Sequence, residues 1–569
     1  MSTERPKRLS NGAKLALALW LSAAFLIVAV LFGYAYWSKT REKPTVCEES
    51  PVAEKKVYLF GPADTETAAP VDQPIRAEVL SDDDLIDPKT VSSANVALFR
   101  VADRSVVPTK VSVVEDGHAI ELSPLAPLES QTNYAFAISS GVKDKYGNAL
   151  PAVQTAFVTA SAEKPALPSF EQVALPATKG LGVTCVAVGP DGRLWMSVDD
   201  GRIMRFDIAA DGTLSNKREI KTLVDAAGGK PRLIGGFAFD PSAKPEEPVL
   251  WVTHTSFGFI NMGDWRGSVS RLSGPDLNKA ETVIVNLPRS ARDHVIHQPV
   301  FGPDGCLYFH SGSMSSYGDA DGYWGWRKEH AFSACVAKLD LKKLSEPNRW
   351  PIDVKTPEDG GTYLRESPDA PLTVYASGIR VAYDLCWHSS GKLFAAVNGS
   401  SPGGNTPATK GVPQVWTVTD VEHDWLFDIK PGSYYGHPNP MQGHFVLNGG
   451  NPTAGADFAE VTQYPVGTQP DAKWQPAAFD FGAHVSPNGT IEYRGNDALD
   501  KTLVVCRYNV GNDLLAIRVD AAGNIAGVIP HVAGWENLQN PLDVCQDQKT
   551  GNLYVSEYGK HAVTLLRKK

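Results

Sequence analysis

The stretch VTCVAVGPDGRLWMSV, Val183–Val198, decides the fold: an apolar run meets a polar Gly turn, and a second apolar run follows. The turn glycine supplies the positive φ a hairpin needs, and the alternation after it fits a buried strand. The same unit recurs as FAFDPSAKPEEPVLWVTH (Phe237–His254), QPVFGPDGCLYFHSG (Gln298–Gly312), YDLCWHSSGKLFAAVNG (Tyr383–Gly399) and LDVCQDQKTGNLYVSEYG (Leu542–Gly559). HVSPNGTIEYRG (His484–Gly495) is a degenerate copy in the longest gap. Repeated strand units with long inserted loops predict a mainly β chain whose residues 170–569 form a six-bladed β-propeller. Loops on one face of such a ring are where a site is built.

Outward from this core, the composition sets bounds. The chain has 569 residues and a formal charge of −10, from 54 Lys+Arg against 64 Asp+Glu, which argues against nucleic acid as a partner. Thirteen Trp, 18 Tyr and 21 Phe exclude disorder over most of the length. The seven cysteines are widely spaced with no CxxC, which removes zinc ribbons, c-type haem and thioredoxin-like chemistry and favours mostly buried free thiols. No P-loop, GxSxG or HExxH is present, so nucleotide hydrolysis, serine esterase and zincin chemistry lack support.

Residues 1–14 carry Arg5, Lys7, Arg8 and Lys14, and residues 15–37 read LALALWLSAAFLIVAVLFGYAYW without a charge. At about 1.5 Å per residue that run spans a hydrocarbon core of roughly 30 Å. The expectation is an uncleaved transmembrane anchor, single-pass in a bacterial inner membrane, with the remainder in the periplasm; a cleaved signal peptide is the competing reading. Residues 38–70 read as a tether, with VYLF (Val57–Phe60) offering a first strand. Residues 71–161 hold short alternating runs between turns, the pattern of a small β-sandwich.

Within that sandwich, Leu122–Leu150 resembles bacterial Ig-like domains, in which a Tyr strand precedes a G-V-x-D-x-x-G-N turn; here these are Tyr134, Gly141, Val142, Asp144, Gly147 and Asn148. The repeat region resembles the glucose/sorbosone dehydrogenase family. Asp293-His294 stands eight residues before Gly302-Pro303-Asp304, where the family places its general base. Gly378-Ile379-Arg380-Val381 is similar to the family's quinone-holding G-x-R-N segment. Asp424-Trp425-Leu426, with Gly432-Ser433-Tyr434-Tyr435-Gly436-His437-Pro438, is similar to its D-E-x-N…G-x-N-Y-G-W-P segment. Thr373–Pro407 and Tyr434–Pro452 look closer still to membrane or secreted relatives that pair an Ig-like module with the propeller.

The resemblance implies a sugar dehydrogenase using pyrroloquinoline quinone and Ca²⁺, with His294 as base, Asp293 orienting it and Arg380 holding the anionic cofactor; the family's quinone-pairing lysine has no clear counterpart, and Arg507 or Asn509 lies nearest. Two departures stand out: Val381 replaces the polar Asn, and Asn540–Gln548 lacks the family's arginine. His297-Gln298 adds a second polar pair within reach. Asn398, Ser401 and Pro402 fall where the resemblance implies the cofactor-facing calcium, and Asp424 where it implies a structural one. Asp319 and Asp321 in GDADG form a carboxylate loop of the oxygen type Ca²⁺ prefers. YWGWRKEH (Tyr323–His330) offers aromatic faces to a sugar or to a protein.

Two functions follow. One is a membrane-anchored periplasmic sugar or aldose dehydrogenase. The other is a non-catalytic scaffold or binding subunit of a respiratory or photosynthetic membrane complex.

Overall fold

The computed structural model describes residues 58–569, apart from 64–65, 67–68, 72, 80–84, 115–116, 161–165, 345–349 and 456–457. The expected anchor, Leu15–Trp37, and Cys47 lie outside the described residues. Among the described residues no helix is long and apolar enough to cross a membrane. Residues 56–569 form one compact unit.

The first part of that unit is a two-sheet sandwich. One sheet runs in the order Tyr58–Gly61, Ile75–Val79, Ala119–Pro124, Thr109–Val114, and the other Val96–Arg100, Asn133–Ile138, Val153–Val158. Alternating residues bury Ile75, Leu98, Ile120, Phe136 and Phe157 between them. The sandwich begins earlier than residue 71: Tyr58–Gly61 pairs antiparallel with Ile75–Val79, Tyr58 opposite Val79, so part of the expected tether is a strand. The D-x-x-G-N turn is structural. Buried Asp144 accepts the backbone N–H of Tyr146 and Asn148, each at 2.9 Å, and Gly147 takes φ 89°.

The rest is a ring of six sheets. Their innermost strands are Val183–Val188, Arg232–Phe239, Ile296–Phe301, Ala382–Trp387, Pro487–Glu492 and Pro541–Gln546, and each touches the next in a closed cycle. Five sheets have four strands, and the second gains a fifth, Ile352–Asp353. In the sixth sheet Phe170–Ala174 pairs with Ala562–Lys568, so the two ends of the ring segment are hydrogen-bonded to each other and close it.

The repeat owes its form to one device. In GPDG, Asp191 accepts the N–H of Arg193 at 3.1 Å and the indole N–H of Trp195 at 3.0 Å. Asp304 does the same for Cys306 N–H and Tyr308 O–H. Each turn thus fixes the aromatic ring of the strand it feeds. Trp195, fully buried, packs with Cys185, Ile234, Phe237 and Val252 between the first two sheets. A side chain of this kind contributes about 1.5–3 kcal/mol by leaving water. The six described cysteines are free and buried, as small apolar packing groups.

The sandwich is joined to the fifth sheet by charge. Arg507, 1% exposed, donates to Glu78 of the sandwich at 2.7 and 2.8 Å and to Asp513 at 2.6 and 2.7 Å. Arg76 donates to the carbonyl of Pro530 at 3.0 Å, and Arg518 pairs with Glu66.

Candidate functional site

All six innermost strands slip register near their start. The ladder skips Thr184 in the first, Gly235 in the second, His297-Gln298 in the third, Tyr383-Asp384 in the fourth, Asn488-Gly489 in the fifth and Leu542 in the sixth. A bulge re-aims the side chain it carries. Here Thr184, Gly235, His297, Tyr383, Asn488 and Leu542 all line one central cavity of about 690 Å³. The second strand needs glycine at its bulge, since a Cβ on Gly235 would lie 1.9 Å from the Ile296 carbonyl oxygen. Two backbone N–H groups near the slips are taken up by neighbouring strands. Asp384 accepts Thr490 N–H at 2.9 Å, and Asp543 accepts Val186 N–H at 2.7 Å.

Above this ring the loops leading into the strands form the upper wall. Asp293-His294 lies on the loop before Ile296, and Arg380-Val381 on the loop before Ala382. His294 is buried, and its Nδ1 lies 3.0 Å from the Ser313 carbonyl oxygen and 2.9 Å from its hydroxyl. A carbonyl only accepts, so Nδ1 carries the proton and Nε2 is the lone-pair nitrogen left for the cavity. Burial, then the Arg380 charge, hold His294 well below the usual imidazole range, so it is neutral at physiological pH. The Trp324 ring packs on it with centroids 4.0 Å apart.

Arg380 spends Nη1 on the carbonyls of Gly399 at 2.7 Å and Asn398 at 3.3 Å, and its buried Nε has no partner among the described residues. Asp424 clamps two cavity loops by accepting Gly399 N–H and Ser486 N–H, each at 2.7 Å. Burial raises its pKa to about 7 against those two bonds. Asn398 donates to Pro487 O at 3.1 Å and Asn488 Oδ1 at 3.2 Å, so it too ties the loops together.

Of the residues singled out in the sequence, the cavity brings together Asp293, His294, Arg380, Asn398, Ser401, Pro402 and Asp424. Four are elsewhere. Arg507 is not a ligand group but the buried tie to Glu78 and Asp513 described above. Gln298, the other half of its bulge, packs on Gly236 of the neighbouring strand. Asp321 caps its own loop, accepting Ser316 N–H at 2.9 Å and Trp324 N–H at 3.0 Å. Asp319 accepts from Gln414 at 2.6 Å. Nor does Asp293 orient His294: it is exposed, and Ser313 does that work.

Most of the oxygens expected to hold calcium accept from protein donors. Both Asp424 oxygens take backbone N–H groups, and the Ser401 carbonyl accepts from Tyr317 O–H at 3.1 Å. Among the described residues no group of three or more His, Cys, Asp or Glu side chains could hold a metal ion. Sequence reasoning missed Ser313, Thr184, Tyr383 and Asn488. Only the strand pattern around them was visible, and the bulges that aim three of them depend on cross-strand register.

Two family models match: bacterial Ig-like domain over residues 55–159 and strictosidine synthase-like, N-terminal, over residues 185–206. No curated protein matches the chain. Among solved structures, an oxidoreductase (glucose dehydrogenase) from Thermus thermophilus is 20% identical, with TM-score 0.42, covering 71% of this chain and 100% of its own. The PQQ-bound aldose sugar dehydrogenase of Streptomyces coelicolor is 19% identical, with TM-score 0.46 and coverage of 71% and 100%. The pyranose dehydrogenase PQQ domain of Coprinopsis cinerea is 12% identical, with TM-score 0.47 and coverage of 71% and 99%.

Proposed function

We propose that this chain is a six-bladed propeller of sugar dehydrogenase type whose central cavity binds an aldose or related polyol, with His294 taking the hydroxyl proton. The observation that carries this reading is the state of His294: neutral, its tautomer set by Ser313, and its Nε2 left for a cavity that also holds one guanidinium and one indole face. A hydroxyl hydrogen approaching Nε2 meets a lone pair. The low pKa lessens its basicity but keeps it unprotonated and ready across the neutral range. Arg380 lies close enough to favour negative charge building on the oxygen that loses the proton. Trp324 supplies an apolar face against which a sugar ring can stack.

Pyrroloquinoline quinone, the cofactor the resemblance implies, brings three carboxylates. The cavity lining offers Arg380 as its single guanidinium and adds two acids of its own, Asp293 and Asp424. An unpaired buried carboxylate is costly, so this donor set does not fit a tricarboxylate, and no step is derived through the quinone. Val381 and the diversion of Arg507 to Glu78 are the particular losses. They favour the second reading, in which the propeller keeps its cavity as a binding surface and serves as a scaffold in a membrane complex.

In either reading Leu15–Trp37 anchors the chain in a bacterial inner membrane and the β domains stand in the periplasm. The support for this is the 23 uncharged residues and the Ig-like module that follows them. The test is dye-linked oxidation of aldoses by the detergent-extracted full chain, with and without added quinone and Ca²⁺. Turnover lost in His294→Gln supports the dehydrogenase. Aldose binding without turnover supports the scaffold.

A further inference from the structure

We propose that His297 anchors an uncharged oxygen-bearing group of the ligand, a hydroxyl or carbonyl, at the floor of the cavity. The inference rests on the reading of the cavity as a polyol site and assigns the contact that site is built around.

His297 is 5% exposed and lines the cavity, yet neither ring nitrogen has a hydrogen-bond partner among the described residues. Its neighbours are already committed. The His310 ring, 5.6 Å away, places Nε2 at 2.9 Å from the Ile379 carbonyl and accepts Ala382 N–H at Nδ1. Tyr383, with its ring 5.4 Å away, donates its hydroxyl to the Thr184 carbonyl. The backbone carbonyl of His297 is itself satisfied by the Thr253 hydroxyl at 2.9 Å. Of His297 itself only the imidazole is left open, and the bulge at 297–298 turns it inward; Gln298 Oε1 in the same bulge is likewise buried without a partner among the described residues.

Leaving a buried donor and acceptor unmade costs stability, and such sites persist where the missing partner is a ligand. The chemistry of that partner follows from the surroundings. Burial, then the neighbouring His310, hold His297 well below the usual imidazole range, so it presents one N–H and one lone pair. The other five residues of the floor ring are Thr184, Gly235, Tyr383, Asn488 and Leu542, none of them charged. A hydroxyl both gives and accepts, and a sugar presents hydroxyls in adjacent pairs. An anion would find no arginine or lysine among these six residues, and Arg380 is a charge that acts on His294 and not on His297.

The experiment compares the full-length protein with His297→Phe and His297→Asn by thermal melting and by calorimetric titration with D-glucose and, separately, pyrroloquinoline quinone. A ligand-anchoring role predicts that His297→Phe melts higher than wild type, having lost the unmade bonds, and binds glucose at least about tenfold more weakly. His297→Asn should keep part of the affinity. The same loss for the quinone but not for glucose would assign the contact to a quinone carbonyl. Wild-type affinity for both probes in His297→Phe, or a lower melting temperature with binding intact, overturns the inference. If wild type binds neither probe, the polyol reading fails by itself. His297 is then judged from a crystal grown in glucose: a sugar oxygen on the ring nitrogens upholds the assignment, and water alone there overturns it.

Discussion

Raising the pH should loosen the loop contacts made by one residue, His330. Its Nδ1 lies 2.8 Å from Asp359 and its Nε2 2.9 Å from Asp264, with the Trp265 ring packed at 4.1 Å. Two carboxylates on two nitrogens require both protons. Burial alone would depress the pKa, but the bonds to Asp264 and Asp359 outweigh it and hold it at about 9. The group is only 15% exposed, so solvent screens it little. Against an unfolded value of about 6.5, the rise of roughly 2.5 units corresponds to about 3 kcal/mol. The folded pKa is the higher one. The stabilisation is therefore complete below pH 6.5, declines as pH rises towards 9, and is gone above it. For a unit of this size that is a shift of roughly 3 °C in melting temperature. Thermal melts of wild type and His330→Gln at pH 6 and pH 9.5 isolate the term from every other titration. Wild type should lead clearly at pH 6 and lose that lead at pH 9.5. An equal gap between the two proteins at both pH values would refute the reasoning.

Other outcomes follow from the same geometry. Arg507→Met leaves Glu78 and Asp513 facing each other without their shared cation and should cost about 3–5 kcal/mol in denaturant unfolding. A variant as stable as wild type would show the tie to be dispensable. Asp424→Asn sets an amide N–H₂ against one of the two backbone N–H groups it now accepts, a loss of about 1–3 kcal/mol. Hydrogen exchange at Gly399 or Ser486 should rise, and unchanged exchange would count against the clamp. His294→Gln should lower any aldose turnover by about 10²–10⁴ while leaving aldose affinity within a few-fold, and intact turnover would remove His294 from the chemistry.

The β ring was legible because its signal is local. GPDG-type turns fix the aromatic residue that follows, so a reader of the sequence sees the turn, the ring and the alternation together. The sandwich was legible for the same reason, and VYLF marked its first strand, Tyr58–Gly61, though the polar stretch after it put the domain boundary too late, at residue 71. His294 and Arg380 were found because their motifs mark loops that enter the innermost strands, and Asp424, within the strand His423–Ile429, was found by its own motif.

What failed was assigning partners to charges. Asp293 adjoins His294 in sequence but is exposed, while Ser313, nineteen residues on, holds the ring. Arg507 seemed to be a ligand group only because it lies nearest to where the resemblance places a quinone-pairing lysine. Its partner Glu78 lies 429 residues away in another domain. The GDADG carboxylates look like metal ligands in a sequence, yet Asp321 spends both oxygens on its own loop's N–H groups, which no spacing rule reveals. Apart from His297, the floor ring was invisible for a different reason: a bulge is a mismatch between two strands, and one strand alone does not encode it.

The central claim is that the cavity is a ligand site organised by His294 and Arg380. Its most direct measurement is calorimetric titration of the detergent-extracted full chain with an aldose series, repeated with Arg380→Ala. Saturable one-to-one binding that weakens at least tenfold in the variant is the expected outcome. No binding of any aldose, or binding that ignores the loss of Arg380, would contradict it.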